Sequence, residues 1–143
     1  MELRQAAARE IRATIMPELR ARGFSGRFPH FRRLHDGGRV DFLSFQFNRY
    51  GGGFLAEMAI AYPERGARGN FYFKGAVTAE VIGQADVGST RNRLRIVPRG
   101  EDWFAYDAEH YRETVADAKR GILRRMDYFE KSAVVRWVYE KWL

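Results

Sequence analysis

An α+β fold, with an antiparallel sheet of four to five strands packed by an N-terminal helix and a long C-terminal helical segment, is what this sequence predicts. Three observations predict it. Apolar residues recur every fourth position at the start of the chain, they alternate with polar ones through three runs punctuated by glycine, and helical spacing returns after Asp107. The first three strands read as a meander, since short turn signals separate them. With 143 residues, 45% of them apolar, 30% charged and 15% aromatic, the chain fits a single domain over residues 1–143. At that size folding buries roughly 68–70% of the unfolded surface, enough for a core without a metal or disulfide staple.

The elements follow in order. Leu3, Ala7, Ile11, Ile15 and Leu19 form an amphipathic helical stripe. Pro17 kinks its last turn or restarts it, and Gly23 supplies a left-handed C-terminal cap with Phe24 packing back. Next come the strands FPHFRRLH, VDFLSFQFNR and FLAEMAIAYP. A three-residue loop, Asp36-Gly37-Gly38, sets Phe31 beside Leu43 and Arg33 beside Asp41, and puts His30 near Ser44 and Gln46. For the second hairpin, a Tyr50–Gly53 loop places Arg49 against Phe54 and Gln46 opposite Glu57.

Strand alternation then separates two faces. Leu43, Phe45, Phe47, Ala56, Met58 and Ile60 form the core face for the helices to cover. The other, carrying Val40, Phe42, Ser44, Gln46, Asn48, Leu55, Glu57 and Ala59, is mixed and expected to be exposed. Beyond a loop over residues 64–69, GNFYFKGAVTAEVIG offers a further strand and RNRLRIVP another, ended by Pro98. Asp107 is the expected N-cap of a helix running through Tyr111, Val115, Ala118, Ile122, Met126 and Phe129 towards Trp137 and Val138, with Gly121 as a point of bending.

The helix ending in RGF, the strand with FRR, the strand SFQFNRYGGGF, and the RNRL segment followed by EDWFAY and a C-terminal helix resemble a bacterial family known as domain of unknown function 4304. The likeness runs from about Leu19 to Tyr106 and is clearest in the central FQF strand. It implies a small bacterial α+β protein, immunity proteins being an associated idea, and it transfers no functional residue.

Several chemistries are excluded or poorly supported. The absence of cysteine removes disulfides, thiolate nucleophiles and cysteine-ligated metals. The triple glycine lies between strands, with no helix opening after it, so it reads as a hairpin turn and not a phosphate loop. His30 and His35 point to opposite faces of one strand, and His110 with Glu113 makes an incomplete metal set. No serine lies in a nucleophile elbow. Catalytic residues, metal ligands and cofactors are therefore not assigned. The N-terminal residues carry charges every few positions and no run of eighteen apolar residues occurs, so a cytoplasmic protein without a membrane partner is expected.

Charge is the strongest functional cue. The chain carries +7, and 21 of its 25 basic residues are arginine, a skew that a GC-rich coding sequence also produces. The leading expectation is a non-catalytic binding module for a protein or anionic partner, using His30, Arg32, Gln46, Asn48 and Glu57 of the mixed face together with Arg91, Arg93 and Arg95, which alternation puts on one side of a strand. One alternative is nucleic-acid binding through Arg20, Arg22, Arg27, Arg32, Arg33 and Arg39, interleaved with Phe24, Phe28 and Phe31. Another is an enzyme or small-ligand binder with a pocket around Gln46 and Glu57.

Overall fold

A computed structural model describes residues 2–36, 39–61 and 93–131. The expected strand within residues 71–83, together with Arg91, Trp137 and Val138, lies outside the described residues. The N-terminal stripe forms two helices, α1 (Leu3–Thr14) and α2 (Met16–Ala21). Ala7, Ile11, Ile15 and Leu19 are fully buried, and each of the three larger side chains contributes about 1.5–3 kcal/mol by leaving water. Pro17 restarts the helix: it stands in the first turn of α2, where its missing N–H costs nothing. At the other end Phe24 donates its backbone N–H to Leu19 O (2.9 Å) and Gly23 to Arg20 O (3.0 Å), with Gly23 at φ 92°, the cap the sequence predicts.

The sheet is antiparallel, in the order β1 (Ser25–Arg27), β2 (His30–Leu34), β3 (Val40–Phe47), β4 (Gly53–Ala61), β5 (Arg93–Ile96), and β6 (Phe104–Ala105) pairs with the start of β4. The meander is as expected. The added strands β1 and β6 have three and two residues, too few to show an alternation. In the first hairpin Phe31 pairs with Leu43, Arg33 with Asp41 and His30 with Ser44, as predicted.

The second hairpin corrects the expected register by two residues. Phe47, not Arg49, pairs with Phe54; Gln46 faces Leu55, and Glu57 faces Ser44. The turn begins earlier because Asn48 organises it: its Oδ1 accepts the Tyr50 N–H (3.0 Å), its carbonyl accepts the Gly51 N–H (2.9 Å), and its own N–H donates to Gly53 O (2.8 Å). Gly51 and Gly52 take positive φ in the turn, whereas Gly53 belongs to β4, where a Cβ would stand 2.9 Å from that of Trp103. A two-residue shift preserves the faces, so the predicted core face stands.

The last helix, α3 (Tyr111–Lys131), runs through Gly121 without a break and buries Val115, Ala118, Ile122 and Met126. Asp107 caps its approach, accepting N–H bonds from Glu109 (3.0 Å) and His110 (2.7 Å). Gly121 lies over Ile96 and Phe104, so α3 covers β5 and β6. Beside it, α1 lies over β3 and the segment before β2, with guanidiniums above Phe47 and Phe28. The opposite sheet face departs from expectation: Val40, Phe42, Leu55 and Ala59 are buried there too. Four apolar side chains in the middle of that face favour cover over exposure, at about 25 cal/mol per Å² removed from water. Among the described residues no helix is long and apolar enough to cross a membrane.

Candidate functional site

Beside the buried stripe of α3, Asp117, Arg120, Arg124 and Tyr128 follow one another at helical spacings of three and four, with Arg125 alongside. Opposite them the chain leaves β5 after Ile96, ended by Pro98, and turns at Gly100 (φ 80°), with the Glu101 N–H donating to Pro98 O (3.0 Å). Between the two elements runs a cleft of about 840 Å³. Ile96, Phe104 and Gly121 form its floor, Val97 and Pro98 one apolar wall, and Arg99, Arg120, Arg124 and Arg125 its rim, while Arg95 borders it from the strand with the register placing it on the sheet's other face.

The electrostatics are one-sided. Among the described residues Asp117 is the only carboxylate of the lining, and it pairs with Arg120. Arg95, Arg99, Arg124 and Arg125 are exposed and make no ion pair among the described residues. Guanidiniums donate hydrogen bonds and accept none, so this rim presents fork-shaped donors to carboxylate or phosphate oxygens and offers no base or nucleophile. Among the described residues, no group of three or more histidine, aspartate or glutamate side chains could hold a metal ion.

The arginines of residues 20–39 have a different fate. Asp41, 2% exposed on the helix-covered face, accepts from Arg33 Nε (3.2 Å) and Nη2 (2.9 Å), and Arg39 Nε lies 3.0 Å from its other oxygen. His35 Nε2 stands 2.6 Å from the carboxylate and 2.8 Å from Arg39 Nη2, so that one ring nitrogen either donates to the acid or accepts from the guanidinium. Burial pushes the Asp41 carboxyl up, but the His35 hydrogen bond, the Arg39 and His35 charges and the Arg33 hydrogen bonds outweigh it and hold the group below its ordinary value. Arg33 also meets Glu130 (3.0 Å), Arg22 pairs with Asp127 (2.9 Å), and Arg20 donates to the carbonyls of Phe24 and Gly26. Four of the six arginines in the nucleic-acid alternative thus meet named internal partners, and Arg32 makes a fifth with a partner. Arg27 is exposed and Arg32 is half-buried and partnered.

The mixed-face candidates do come together in part. His30, Ser44, Glu57 and Arg95 form one row across β2, β3, β4 and β5. Gln46 is exposed and Glu57 half-buried with a partner of its own, and neither lines the α3 cleft or the cleft beside α1. Asn48 serves the turn. Arg93 pairs with Ala59 in the strand register, and Arg91 lies outside the described residues. Of these residues Arg95 alone borders the cleft, from the sheet's other face. The residues missed were those of α3: a basic stripe at 120, 124 and 125 beside the apolar one is visible in the sequence, but nothing there says that β5 lies opposite.

The family model described as "Domain of unknown function (DUF4304)" matches residues 15–130. The chain belongs to this family. The DUF4304 match includes every described strand, nearly all of α3 and the whole cleft, and it begins after α1. No curated protein and no solved structure matches the chain.

Proposed function

We propose that this DUF4304 protein is a non-catalytic binding module that takes an acidic protein segment in the cleft between β5 and α3. One observation carries the reading: three exposed arginines without an ion pair among the described residues, Arg99, Arg124 and Arg125, rim a cleft with an apolar wall of Val97 and Pro98. The half-buried wall of Val97 and Pro98 suits apolar side chains, and the rim suits carboxylates between them. Single-stranded nucleic acid is favoured less, because stacking needs open ring faces and the lining exposes one ring, Tyr128, while Phe104 is buried.

The test is a titration of the purified protein with two labelled probes of equal charge, an acidic peptide containing leucines and an oligo-thymidylate, at several salt concentrations. The expected result is tighter peptide binding that weakens with salt and falls about a hundredfold in Arg124→Glu/Arg125→Glu, from two charge-assisted contacts at about 1.5 kcal/mol each. Peptide affinity unchanged by that double substitution overturns the assignment, and preferential oligo-thymidylate binding replaces the partner class.

A further inference from the structure

A second arginine-lined groove, of about 660 Å³, lies along α1 at the other side of the helical layer, where Arg4, Arg9 and Arg12 face Phe28, Phe45 and Phe47. Its arginines are pre-arranged. The Arg12 guanidinium stacks over Phe28 (4.6 Å from the ring centre) and that of Arg4 over Phe47 (5.1 Å), while the rings brace one another, Phe28 on Phe45 at 5.7 Å and against Phe47 at 6.3 Å. A guanidinium held over a ring has already lost much of its rotamer freedom, and a ring face takes up none of its N–H donors as an ion pair would. None of the three arginines makes an ion pair among the described residues, and Glu2 is the only acid of the lining.

We propose that this groove is a second binding site, for an extended acidic peptide segment whose carboxylates meet Arg4 and Arg12. Three features select that ligand. Planar, ring-stacked guanidiniums match carboxylates two hydrogen bonds at a time. The Arg4 and Arg12 guanidiniums lie over rings whose centres are 6.3 Å apart, close to the roughly 6.6 Å between same-side residues two apart in an extended chain. The ring faces that nucleobases would need are already covered by arginine, which disfavours single-stranded nucleic acid. The site stands apart from the α3 cleft, and its three arginines precede the stretch matched to the family.

The test is fluorescence anisotropy with a labelled oligoglutamate peptide on the full chain carrying Arg124→Glu and Arg125→Glu, which silences the α3 cleft. The probe is expected still to bind. Adding Arg4→Ala and Arg12→Ala should weaken it by about tenfold per arginine, and Arg4→Lys with Arg12→Lys by less, since charge is kept while the two-bond geometry is lost. Thermal melts of each variant separate lost binding from lost fold, and the lysine pair keeps the test informative if the alanine pair unfolds. Absence of binding in the silenced background, affinity indifferent to Arg4 and Arg12, or oligo-thymidylate binding as tight with the same dependence each overturns the proposal. Because the α3 cleft is tested by loss in Arg124→Glu/Arg125→Glu and this groove by persistence there, the two readings fail separately.

Discussion

Replacing Asp41 with asparagine keeps the shape of a buried side chain and removes the charge on which Arg33, His35 and Arg39 converge. Breaking one side of a buried ion cluster costs about 3–5 kcal/mol, because the remaining charges stay desolvated. Here the lower end applies: Arg33 retains Glu130 and the Arg22 carbonyl, so Arg39, 16% exposed, bears most of the loss. About 3 kcal/mol out of a typical 5–15 leaves a folded protein, with a melting temperature lower by about 6–12 °C at this chain size. Urea unfolding followed by tryptophan fluorescence should show a lower midpoint at unchanged slope. A loss below about 1 kcal/mol would refute the reasoning, since it would mean that the cluster gains no more than an exposed pair. The pH dependence has a definite sign. The folded-state carboxyl sits below its ordinary value of 3.8, so the folded chain binds fewer protons there than the unfolded one, and the contribution is complete above the unfolded value. It disappears as pH falls through the folded value, and Asp41→Asn should flatten that part of the acid limb.

Three further substitutions test the packing. Gly53→Ala puts a Cβ 2.9 Å from that of Trp103 and should cost about 1–3 kcal/mol in chemical denaturation. Gly121→Ala meets Ile96 at 3.4 Å and Phe104 at 3.9 Å, ordinary contact distances, so the helix-propensity gain should raise the melting temperature, by up to about 1 kcal/mol of stability. Asp107→Ala removes the acceptor for two helix-start amides and should speed hydrogen exchange at Glu109 and His110, leaving mid-helix amides unchanged. In the wild-type protein the same amides should lose protection as pH falls through the Asp107 carboxyl value, which the His110 side-chain hydrogen bond, opposed by slight desolvation and aided by the two backbone N–H bonds, holds below the ordinary one.

Much of the architecture was legible because it rests on short-range rules. The α2 cap needs Gly23 and Phe24 in that order, and the first hairpin register follows from burying Phe31 with Leu43 while pairing Arg33 with Asp41. The second hairpin register differs by two residues from the one that assigning all three glycines to the turn predicts. Gly53 is instead a strand residue under Trp103, a contact between positions fifty apart that no local rule contains. The sheet's second face was expected to be open although Val40, Phe42 and Leu55 argue for cover. The arginines of the proposed cleft were the least legible. Residues 20–39 look like a free basic patch until Asp41, Asp127 and Glu130 meet them through the tertiary fold, whereas the α3 arginines gain their setting only when β5 is placed across from them.

The most direct measurement is an NMR titration following the arginine Nε–Hε signals as the acidic, leucine-containing peptide is added. Arg99, Arg124 and Arg125 should shift together and saturably, while Arg22 and Arg33, held by Asp127 and Asp41, stay in place. Shifts confined to other arginines, or none at concentrations where the peptide binds, would contradict the assignment of the cleft between β5 and α3 as the binding site.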